Sequence, residues 1–266
     1  MKSTLTNTSA LCLIGALLAT TWQQEIRADQ HNDQPDAWVT LFDGSDTSAW
    51  RLYNGDAFPD QGWVIEEDSL VLRPRADGRP TGDIITRDVY RDFELRLDWM
   101  VEKGGNSGIF YHILEQFDQA IYWSGLEMQV LDDANHPDSF LGVDGNRQAG
   151  SLYDLLPIAP KTARPFGEWN EVRIVSRGPH VEHWLNGEKV LAYERWTVDW
   201  FAMLRNSKFR EHNEFGAMQQ GHIGLQDHGD VVRYRNIRIR NLNPTGTERS
   251  AHPHFCSTWQ CTGTEL

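Results

Sequence analysis

The 266-residue chain has few cations, few cysteines and no apolar run long enough to cross a bilayer. It contains 25 Lys and Arg against 38 Asp and Glu, so its formal net charge is −13 with histidine neutral. Binding to nucleic acid or to an anionic membrane requires clustered cations, and this excess of acids argues against both partners. The chain also lacks the glycine fingerprint of dinucleotide-binding domains, so we expect no nucleotide cofactor.

The N-terminal residues have the pattern of an export signal. Lys2 precedes an apolar stretch at residues 10–19, and a polar run follows it. Such a stretch is shorter than the roughly 20 apolar residues of a transmembrane helix, which favours cleavage over anchoring. We predict a signal peptide at residues 1–28, a periplasmic or extracellular protein, and no stable membrane insertion once the signal is removed. Cleavage near residues 19–21 and cleavage after Ala28 both fit this pattern.

The C-terminal segment, residues 244–266, is predicted to be a tail. Cys256 and Cys261 are the cysteines left after signal removal, and in an oxidising compartment they can form a small disulfide. His252 and His254 beside them offer an alternative, a set of zinc-type ligands. The Pro, Ser and Thr content of the segment favours a plain tail over a metal site.

The body of the chain between these ends has the pattern of a β-protein. Hydrophobic residues make up 39% of the chain and aromatic residues 11%, enough for a sizeable core. Asn186 and Gly187 tolerate positive φ and predict a tight hairpin, whereas only residues 198–204 read as a short helix. We therefore predict an all-β fold, a jelly-roll β-sandwich of antiparallel strands, at residues 37–243. The predicted strands are Trp63–Ile65, Ser69–Leu72, Phe93–Val101, Gly108–Ile113, Leu126–Leu131, Glu171–Ser176, His180–Leu185, His222–Gln226 and Val231–Arg240.

Alternation along these strands predicts a face that carries polar groups. In the strand at residues 126–131, Glu127 and Gln129 point to one side while the apolar residues point to the other. The strand that begins at residue 222 likewise places Gln226 and, if it continues, His228 on its polar side. Asn106 follows two glycines, which leave open space beside it.

This polar face has two explanations. Antiparallel sheets commonly have one solvated face, so polar alternation alone is ordinary. Here, however, the residues are Glu, Gln, Asn and His with nearby Gly and Trp. That composition suits a concave sugar site better than a plain wet surface, and it favours a binding site on this face.

Nine short motifs occur in a fixed order along the body of the chain. They are Leu41–Gly44, Gly105–Ile109, Glu127–Asp132, Gly150–Leu155, Gly167–Asn170, His183–Gly187, Ser207–Phe209, Gly221–Gly229 and Arg235–Ile239. Together they resemble the 3-keto-disaccharide hydrolase family, and the resemblance implies a concanavalin-like jelly roll of a kind often exported by bacteria. Two positions depart from the family pattern, because Met128 stands where an aromatic residue is usual and His112 where Arg is frequent.

The resemblance implies cleavage of an oxidised saccharide or glycoside whose sugar carries a ketone at C3. The carbonyl acidifies the C2–H bond, so a base removes that proton, the enolate expels the C1 substituent, and water adds later. This chemistry needs a base with a pKa near the working pH and a cation or donors at the enolate oxygen. A divalent metal ion can serve the second purpose, and the sequence does not distinguish Mn, Ca, Co and Zn.

The same resemblance implies roles for individual residues. His228 is implied as a base or metal ligand, and Glu127 as a carboxylate ligand or the alternative base. Lys208 is implied to stabilise the enolate, with an ordinary surface lysine as the alternative reading. The implied substrate-binding residues are Asn106, Gln129, Gln226, Asp132, Asp154 and Tyr153, and Asp132 equally suits a turn.

A non-catalytic carbohydrate-binding jelly roll is the main alternative function. The same fold can hold a glycan without cleaving it. A retaining glucanase would need two carboxylates on one strand face, and the residue that follows Glu127 on that face is Gln129. The sequence therefore favours cleavage of a 3-keto-glycoside over both alternatives.

Overall fold

The structure of the protein, a computed structural model, describes residues 37–243. Within them, strands β1 to β13 form two antiparallel sheets, and one α-helix, α1 (Val198–Arg205), lies outside the sheets. Short 3-10 turns lie at Ile121–Trp123, Pro137–Phe140 and Lys208–Glu211. The strands are β1 (Val39–Phe42), β2 (Trp50–Leu52), β3 (Trp63–Glu66), β4 (Ser69–Leu72), β5 (Ile84–Thr86), β6 (Phe93–Val101), β7 (Asn106–Ile113), β8 (Leu126–Leu131), β9 (Asn170–Arg177), β10 (His180–Leu185), β11 (Glu188–Glu194), β12 (His222–Leu225) and β13 (Val232–Asn241).

The larger sheet has eight strands in the described part of the chain. Seven of them follow the order β11-β10-β9-β6-β13-β4-β3. β4 pairs with the N-terminal half of β13 and β1 with its C-terminal half, while β6 pairs along the other side. β13 is therefore hydrogen-bonded along both sides and forms the centre of this sheet.

The smaller sheet has the order β2-β5-β12-β7-β8. β7 and β8 pair in register, with Gly108 opposite Gln129 and Phe110 opposite Glu127. Alternate residues of β8 join the hydrophobic core, namely Leu126, Met128 and Val130. Because successive side chains of a strand point to opposite faces, Glu127 and Gln129 project away from the core.

The core lies between the two sheets and is rich in aromatic residues. Trp50, Trp63 and Trp99 are at most 2% exposed. Burial of an aromatic side chain removes roughly 150–250 Å² from water, which at about 25 cal/mol per Å² stabilises the fold by roughly 4 to 6 kcal/mol as an upper bound. This packing fixes the sheet that carries the polar face.

A β-bulge in β7 turns two neighbouring side chains into the core. β7 shifts register against β12, and His112 has a φ of 54°. The Tyr111 hydroxyl lies 2.7 Å from Nε2 of His183, and Nε2 of His112 lies 2.8 Å from Oγ of Ser176. His112, the position where the family frequently has Arg, is therefore buried between the sheets and does not belong to the polar face.

The predicted all-β jelly-roll sandwich is confirmed, as are the hairpin at Asn186 and Gly187 and the helix at residues 198–204, which extends to Arg205. β1, β2 and β5 were not among the predicted strands, and β2 and β5, with three residues each, are too short to show an alternating pattern. The predicted signal peptide, residues 1–28, and the predicted tail, residues 244–266, lie outside the described residues. Across residues 37–243, no helix combines the length and the apolar character that crossing a membrane requires.

Candidate active site

A cavity of about 320 Å³ opens beside β7 and β8 of the smaller sheet. The two strands supply part of its lining, and the loops after β7, β8, α1 and β12 supply the rest. Its polar lining consists of Asn106, Glu127, Gln129, Tyr153, Lys208, Gln226 and His228. The structure thus brings together the polar residues of three separate segments that alternation had predicted to share a face.

Glu127 is a buried carboxyl group of this lining and is only 7% exposed. It lies against Gly108, where a Cβ atom would collide with the carboxyl group. Burial raises the pKa of Glu127 to about 8; the positive charge of Lys208 opposes the rise, and the charges of Asp83 and Asp138 add to it. The group therefore exchanges its proton near neutral pH, which suits a general acid or base.

Three amide side chains line the cavity beside this carboxyl group. Nε2 of Gln129 donates to Oδ1 of Asn106 at 3.0 Å. Among the described residues, Oε1 of Gln129 and Oε1 of Gln226 are buried acceptors without a hydrogen-bond partner. Because buried acceptors are costly to leave unpaired, the hydroxyl donors of a ligand suit both positions.

Lys208 and Tyr153 form one wall of the cavity. The 3-10 turn of Lys208 begins at Ser207, whose hydroxyl accepts a hydrogen bond from N of Phe209 at 3.1 Å. Nζ of Lys208 lies 4.2 Å from the centre of the Tyr153 ring and 3.7 Å from Oδ2 of Asp154. Burial lowers the pKa of Lys208, although Asp154 favours its charged form. Its ammonium group is therefore a partly shielded cation at the cavity.

His228 lies in the loop after β12, beside two other groups that bind metals in proteins. Its ring centre is 5.8 Å from that of His136, and its Nδ1 is 3.7 Å from Oδ2 of Asp230. One ligand atom from each of the three residues lies within 4.8 Å of the others. The sequence predicted Glu127 and His228 as a metal pair. The structure groups His228 with His136 and Asp230, and Glu127 lines the same cavity without belonging to this cluster.

The three-residue cluster can be tested for its fit to a cation. Two imidazoles and a carboxylate suit Zn²⁺, Co²⁺ or Mn²⁺ better than Ca²⁺, which prefers oxygen ligands. Nδ1 of His136 accepts a hydrogen bond from N of Asp138 at 3.1 Å and caps the 3-10 turn Pro137–Phe140. If Nε2 of His136 were the ligand atom, the ring proton would move to Nδ1 and this cap would be lost. The cluster therefore fits a divalent cation. Its binding would sacrifice the hydrogen bond between His136 and Asp138, which contributes about 1 kcal/mol to stability.

Aromatic side chains from loops complete the lining. Trp123 stacks on His212 with ring centres 3.6 Å apart, and Phe209 stacks on Phe215 at 3.8 Å. Tyr122 is 40% exposed and packs against Trp123 in an edge-on geometry. Aromatic surfaces combined with a few fixed polar groups are typical of small-molecule sites.

Comparison with known proteins decides the family. Residues 37–240 match the family described as 3-keto-alpha-glucoside-1,2-lyase-like domain. The chain belongs to this family. A 3-keto-disaccharide hydrolase from Bacteroides thetaiotaomicron is 41% identical over 231 residues, which cover 78% of this chain and 79% of that protein. The family resemblance carried by the sequence motifs is confirmed.

Two solved structures share the fold of this family member. Both are proteins of Parabacteroides distasonis that are provisionally described as glycosyl hydrolases. The first is 30% identical with a TM-score of 0.70, and the match covers 80% of this chain and 97% of that one. The second is 27% identical with a TM-score of 0.60, and the match covers 78% and 100% of the two chains.

Two residues that the family resemblance implied as substrate-binding lie outside the cavity lining. Oδ2 of Asp132 accepts hydrogen bonds from N of Gly104 at 2.8 Å and from Nδ2 of Asn135 at 2.7 Å, so this carboxylate holds a turn. Asp154 lies beside Lys208 and accepts a hydrogen bond from Nε of Arg147 at 2.6 Å. Neither side chain belongs to the lining of this cavity.

Strand alternation did not predict several residues that lie near the cavity of this 3-keto-alpha-glucoside-1,2-lyase-like domain. His136 precedes Pro137, a combination that predicts a capped turn but not a ligand. Asp83 accepts a hydrogen bond from N of Asp227 at 2.8 Å, and burial raises its pKa to about 7. Oδ2 of Asp227 accepts in turn from N of Thr81 at 2.6 Å, which ties the loop of His228 to the loop before β5. These residues come from loops, where alternation carries no information.

Proposed function

We propose that the protein cleaves glycosides whose sugar ring carries a ketone at C3. In the proposed reaction a base removes the C2 proton, the C1 substituent is eliminated, and water then adds to the unsaturated sugar. The observation that carries the proposal is Glu127, a buried carboxyl group with a pKa of about 8, in one cavity with the cation of Lys208 and two unpartnered amide oxygens.

Glu127 is the proposed base. The C3 ketone acidifies the C2–H bond, so a carboxylate can remove this proton once the developing enolate is stabilised. Burial makes the ionised form of Glu127 a stronger base than an ordinary carboxylate, while a fraction remains ionised at neutral pH. The balance between base strength and ionised fraction is most favourable when the pKa lies near the working pH.

Lys208 is the proposed partner of the enolate. Proton removal moves negative charge onto the C3 oxygen, and a fixed cation in a shielded site stabilises that charge more than it stabilises the neutral ketone. Nζ of Lys208 is held over the Tyr153 ring, next to the polar lining of the cavity.

In the elimination step the same carboxyl group accepts a proton and then returns it. Glu127 receives the C2 proton, the C1=C2 double bond forms from the enolate electrons, and the bond from C1 to the glycosidic oxygen breaks. The protonated Glu127 then returns the proton to the departing oxygen. Water adds afterwards across C1=C2, with its hydroxyl at C1 and its proton at C2.

The amides are proposed to hold the hydroxyl groups of the sugar. Oε1 of Gln129 and Oε1 of Gln226 are acceptors that need donors, and a sugar hydroxyl is a donor whereas a ketone is not. Asn106 orients Gln129 through their hydrogen bond. This arrangement favours hydroxyl groups at Gln129 and Gln226 and leaves the ketone to the cation of Lys208.

A divalent cation is proposed as a further component of the site. His136, His228 and Asp230 would hold it, and when bound it supplies Lewis acidity near the cavity. In this arrangement His228 serves as a ligand, and without a cation it remains the alternative base. Glu127 keeps its role in either case, because it is not part of the cluster.

We also propose that the protein is exported. The pattern of residues 1–28 supports secretion to the periplasm or the cell exterior, where oxidised glycosides would be met. Fractionation of cells that express the full chain with a C-terminal tag, followed by mass spectrometry of the N-terminus, tests it. A full-length N-terminus in the cytoplasmic fraction would contradict export.

The enzymatic proposal is tested with the purified protein and matched sugars. A 3-keto-disaccharide and the same disaccharide without the ketone are incubated with wild-type protein and with E127Q. We expect release of the C1 substituent only from the ketone, because the unoxidised sugar lacks an acidic C2–H bond, and no release with E127Q. E188Q is the matched control, since Glu188 is an exposed carboxylate of β11.

The same experiment separates an enzyme from a carbohydrate-binding protein. If E127A and H228A lose turnover but keep affinity for the sugar, the enzymatic proposal holds. If wild-type protein binds oxidised glycosides and cleaves none of them, the non-catalytic alternative replaces it.

A further inference from the structure

Arg147 lies behind the wall of the cavity and joins two carboxylates. Its Nη1 donates to Oδ1 of Asp138 at 2.8 Å, and its Nε donates to Oδ1 of Asp154 at 2.6 Å. The Arg147 side chain is 23% exposed, and the side chains of Asp138 and Asp154 are 15% and 13% exposed. Because all three groups are largely shielded from water, their attraction is stronger than that of surface pairs and fixes their geometry.

The second oxygen of each carboxylate contacts a residue of the cavity lining. Oδ2 of Asp138 accepts a hydrogen bond from the Tyr153 hydroxyl at 2.7 Å. Oδ2 of Asp154 lies 3.7 Å from Nζ of Lys208. Arg147 also lies 5.5 Å from the centre of the Tyr153 ring. One guanidinium group thus supports both polar residues of this wall, each through one carboxylate.

Charge gives Arg147 a second effect on this wall. Burial lowers the pKa of Lys208, and the charge of Arg147 lowers it too, while Asp154, Glu127 and Asp138 raise it. Without Arg147, no guanidinium charge would offset the negative charges of Asp138 and Asp154 that act on Lys208. The two carboxylates would then bind the Lys208 ammonium more strongly and draw it toward Asp154, away from the cavity.

We propose that Arg147 is a positioning residue for the cleavage of 3-keto-glycosides, which holds Tyr153 and Lys208 in place through Asp138 and Asp154. The inference rests on the proposed function, in which the Lys208 ammonium stabilises the enolate oxygen. Arg147 is not part of the cavity lining, so it acts on the substrate through these residues.

The kinetic test uses R147M, R147K and R51M. Arg51 is a matched control because it donates two hydrogen bonds to Glu115, is 16% exposed and does not line the cavity. We expect kcat/KM on a 3-keto-disaccharide to fall about 10- to 100-fold in R147M, mainly through kcat, and to stay at the wild-type value in R51M. R147K keeps the charge without the planar two-point contact, so its loss should be intermediate.

A second measurement does not depend on turnover. Competitive acetylation of amines followed by peptide mass spectrometry gives the pH midpoint at which Lys208 reacts in the full chain. We expect this midpoint to rise by about one pH unit in R147M and to be unchanged in R51M and nearly unchanged in R147K. A merely structural role of Arg147 would lower Tm without moving the Lys208 midpoint.

The outcomes distinguish this inference from the proposed function. A folded R147M with unchanged kcat/KM and an unchanged Lys208 midpoint overturns the inference. If wild-type protein cleaves no 3-keto-glycoside, the proposed function fails, and the midpoint alone decides whether Arg147 positions Lys208. If R147M does not fold, R147K replaces it, and a wild-type kcat/KM in folded R147K overturns the inference.

Discussion

The carboxyl group of Glu127 lies over Gly108, so close that a Cβ atom at residue 108 would stand 2.9 Å from Cδ of Glu127. Gly108 is in β7 and pairs with Gln129, the next residue on the same face of β8 as Glu127. Glycine weakens a strand interior, but it allows another group to approach the backbone closely. The position of the proposed base therefore depends on the absence of a side chain in the neighbouring strand.

G108A should displace Glu127 and impair the proposed reaction. We expect the free energy of unfolding to fall by about 1 to 3 kcal/mol and kcat/KM to fall by about 100-fold, because the carboxyl group moves from its place. Urea denaturation and steady-state kinetics measure the two effects. In the E127A background the carboxyl group that collides with Cβ of residue 108 is absent, so G108A should lower the free energy of unfolding by less than about 1 kcal/mol. An equal cost in both backgrounds would show that the strain lies elsewhere.

E127Q should stabilise the protein at alkaline pH and leave it unchanged in acid. The pKa of Glu127 rises from 4.5 to about 8 on folding because of burial. Below 4.5 both states are protonated, whereas between 4.5 and 8 the unfolded state loses the proton first, so this group makes stability fall as pH rises. We expect the free energy of unfolding of E127Q to exceed that of wild type by roughly 2 to 4 kcal/mol at pH 8 and to match it near pH 4. A pH-independent difference would argue against the raised pKa.

The activity of wild-type protein should rise with pH until Glu127 is ionised. If the ionised carboxylate is the base, kcat/KM increases about tenfold per unit below the pKa and levels off above about pH 8. Rates of substituent release from a 3-keto-disaccharide between about pH 6 and pH 9 give this profile. A profile that falls over this range would assign the protonated form of Glu127 to the rate-limiting step.

Divalent cations should bind at the cluster of His136, His228 and Asp230. We expect calorimetric titration with Zn²⁺ or Mn²⁺ to show one site whose affinity drops at least tenfold in H136A and in D230A, because each loses a ligand. H180A is the control, since His180 pairs with Glu194 in the larger sheet. Equal affinity in all these variants would remove the cluster as the cation site.

Strand alternation predicted the central part of the site for a physical reason. The side-chain period of a strand is fixed by its backbone, so Glu127 and Gln129 had to share a face of β8. The same reasoning expected His228 on a continued β12. β12 ends at Leu225, and His228 instead reaches the cavity from a loop that Asp227 holds.

The remaining parts of the site depend on contacts that sequence patterns do not record. His136, Asp138 and Arg147 lie in the connection after β8, where no periodicity relates one side chain to another. Asp230, which groups with His136, comes from the loop after β12, and Lys208, which pairs with Asp154 of the same connection, comes from the turn after α1. Only the three-dimensional packing of the loops brings these charges together, and for the same reason the bulge at His112 was not visible in the alternation of β7.

Glu94, on the larger sheet, should govern the stability of the fold in acid. It is 1% exposed and accepts hydrogen bonds from Arg96, Arg173 and Arg240. Burial opposes its ionisation, but the three guanidinium groups outweigh burial and lower the pKa of Glu94 to about 2. The contribution of Glu94 to the free energy of unfolding is therefore complete above the ordinary pKa of 4.5, and it is lost as pH falls toward 2.

E94Q tests this contribution. We expect a loss of about 2 to 3 kcal/mol at pH 7, less than for a fully buried pair because the arginine side chains are 27% to 42% exposed, and a smaller loss near pH 3. E66Q is the control, since Glu66 pairs with Arg73 at the surface and should change stability by less than about 1 kcal/mol. Urea denaturation at both pH values gives the differences. If E94Q and E66Q were equally mild, the three arginines would be stabilised by solvent and not by Glu94.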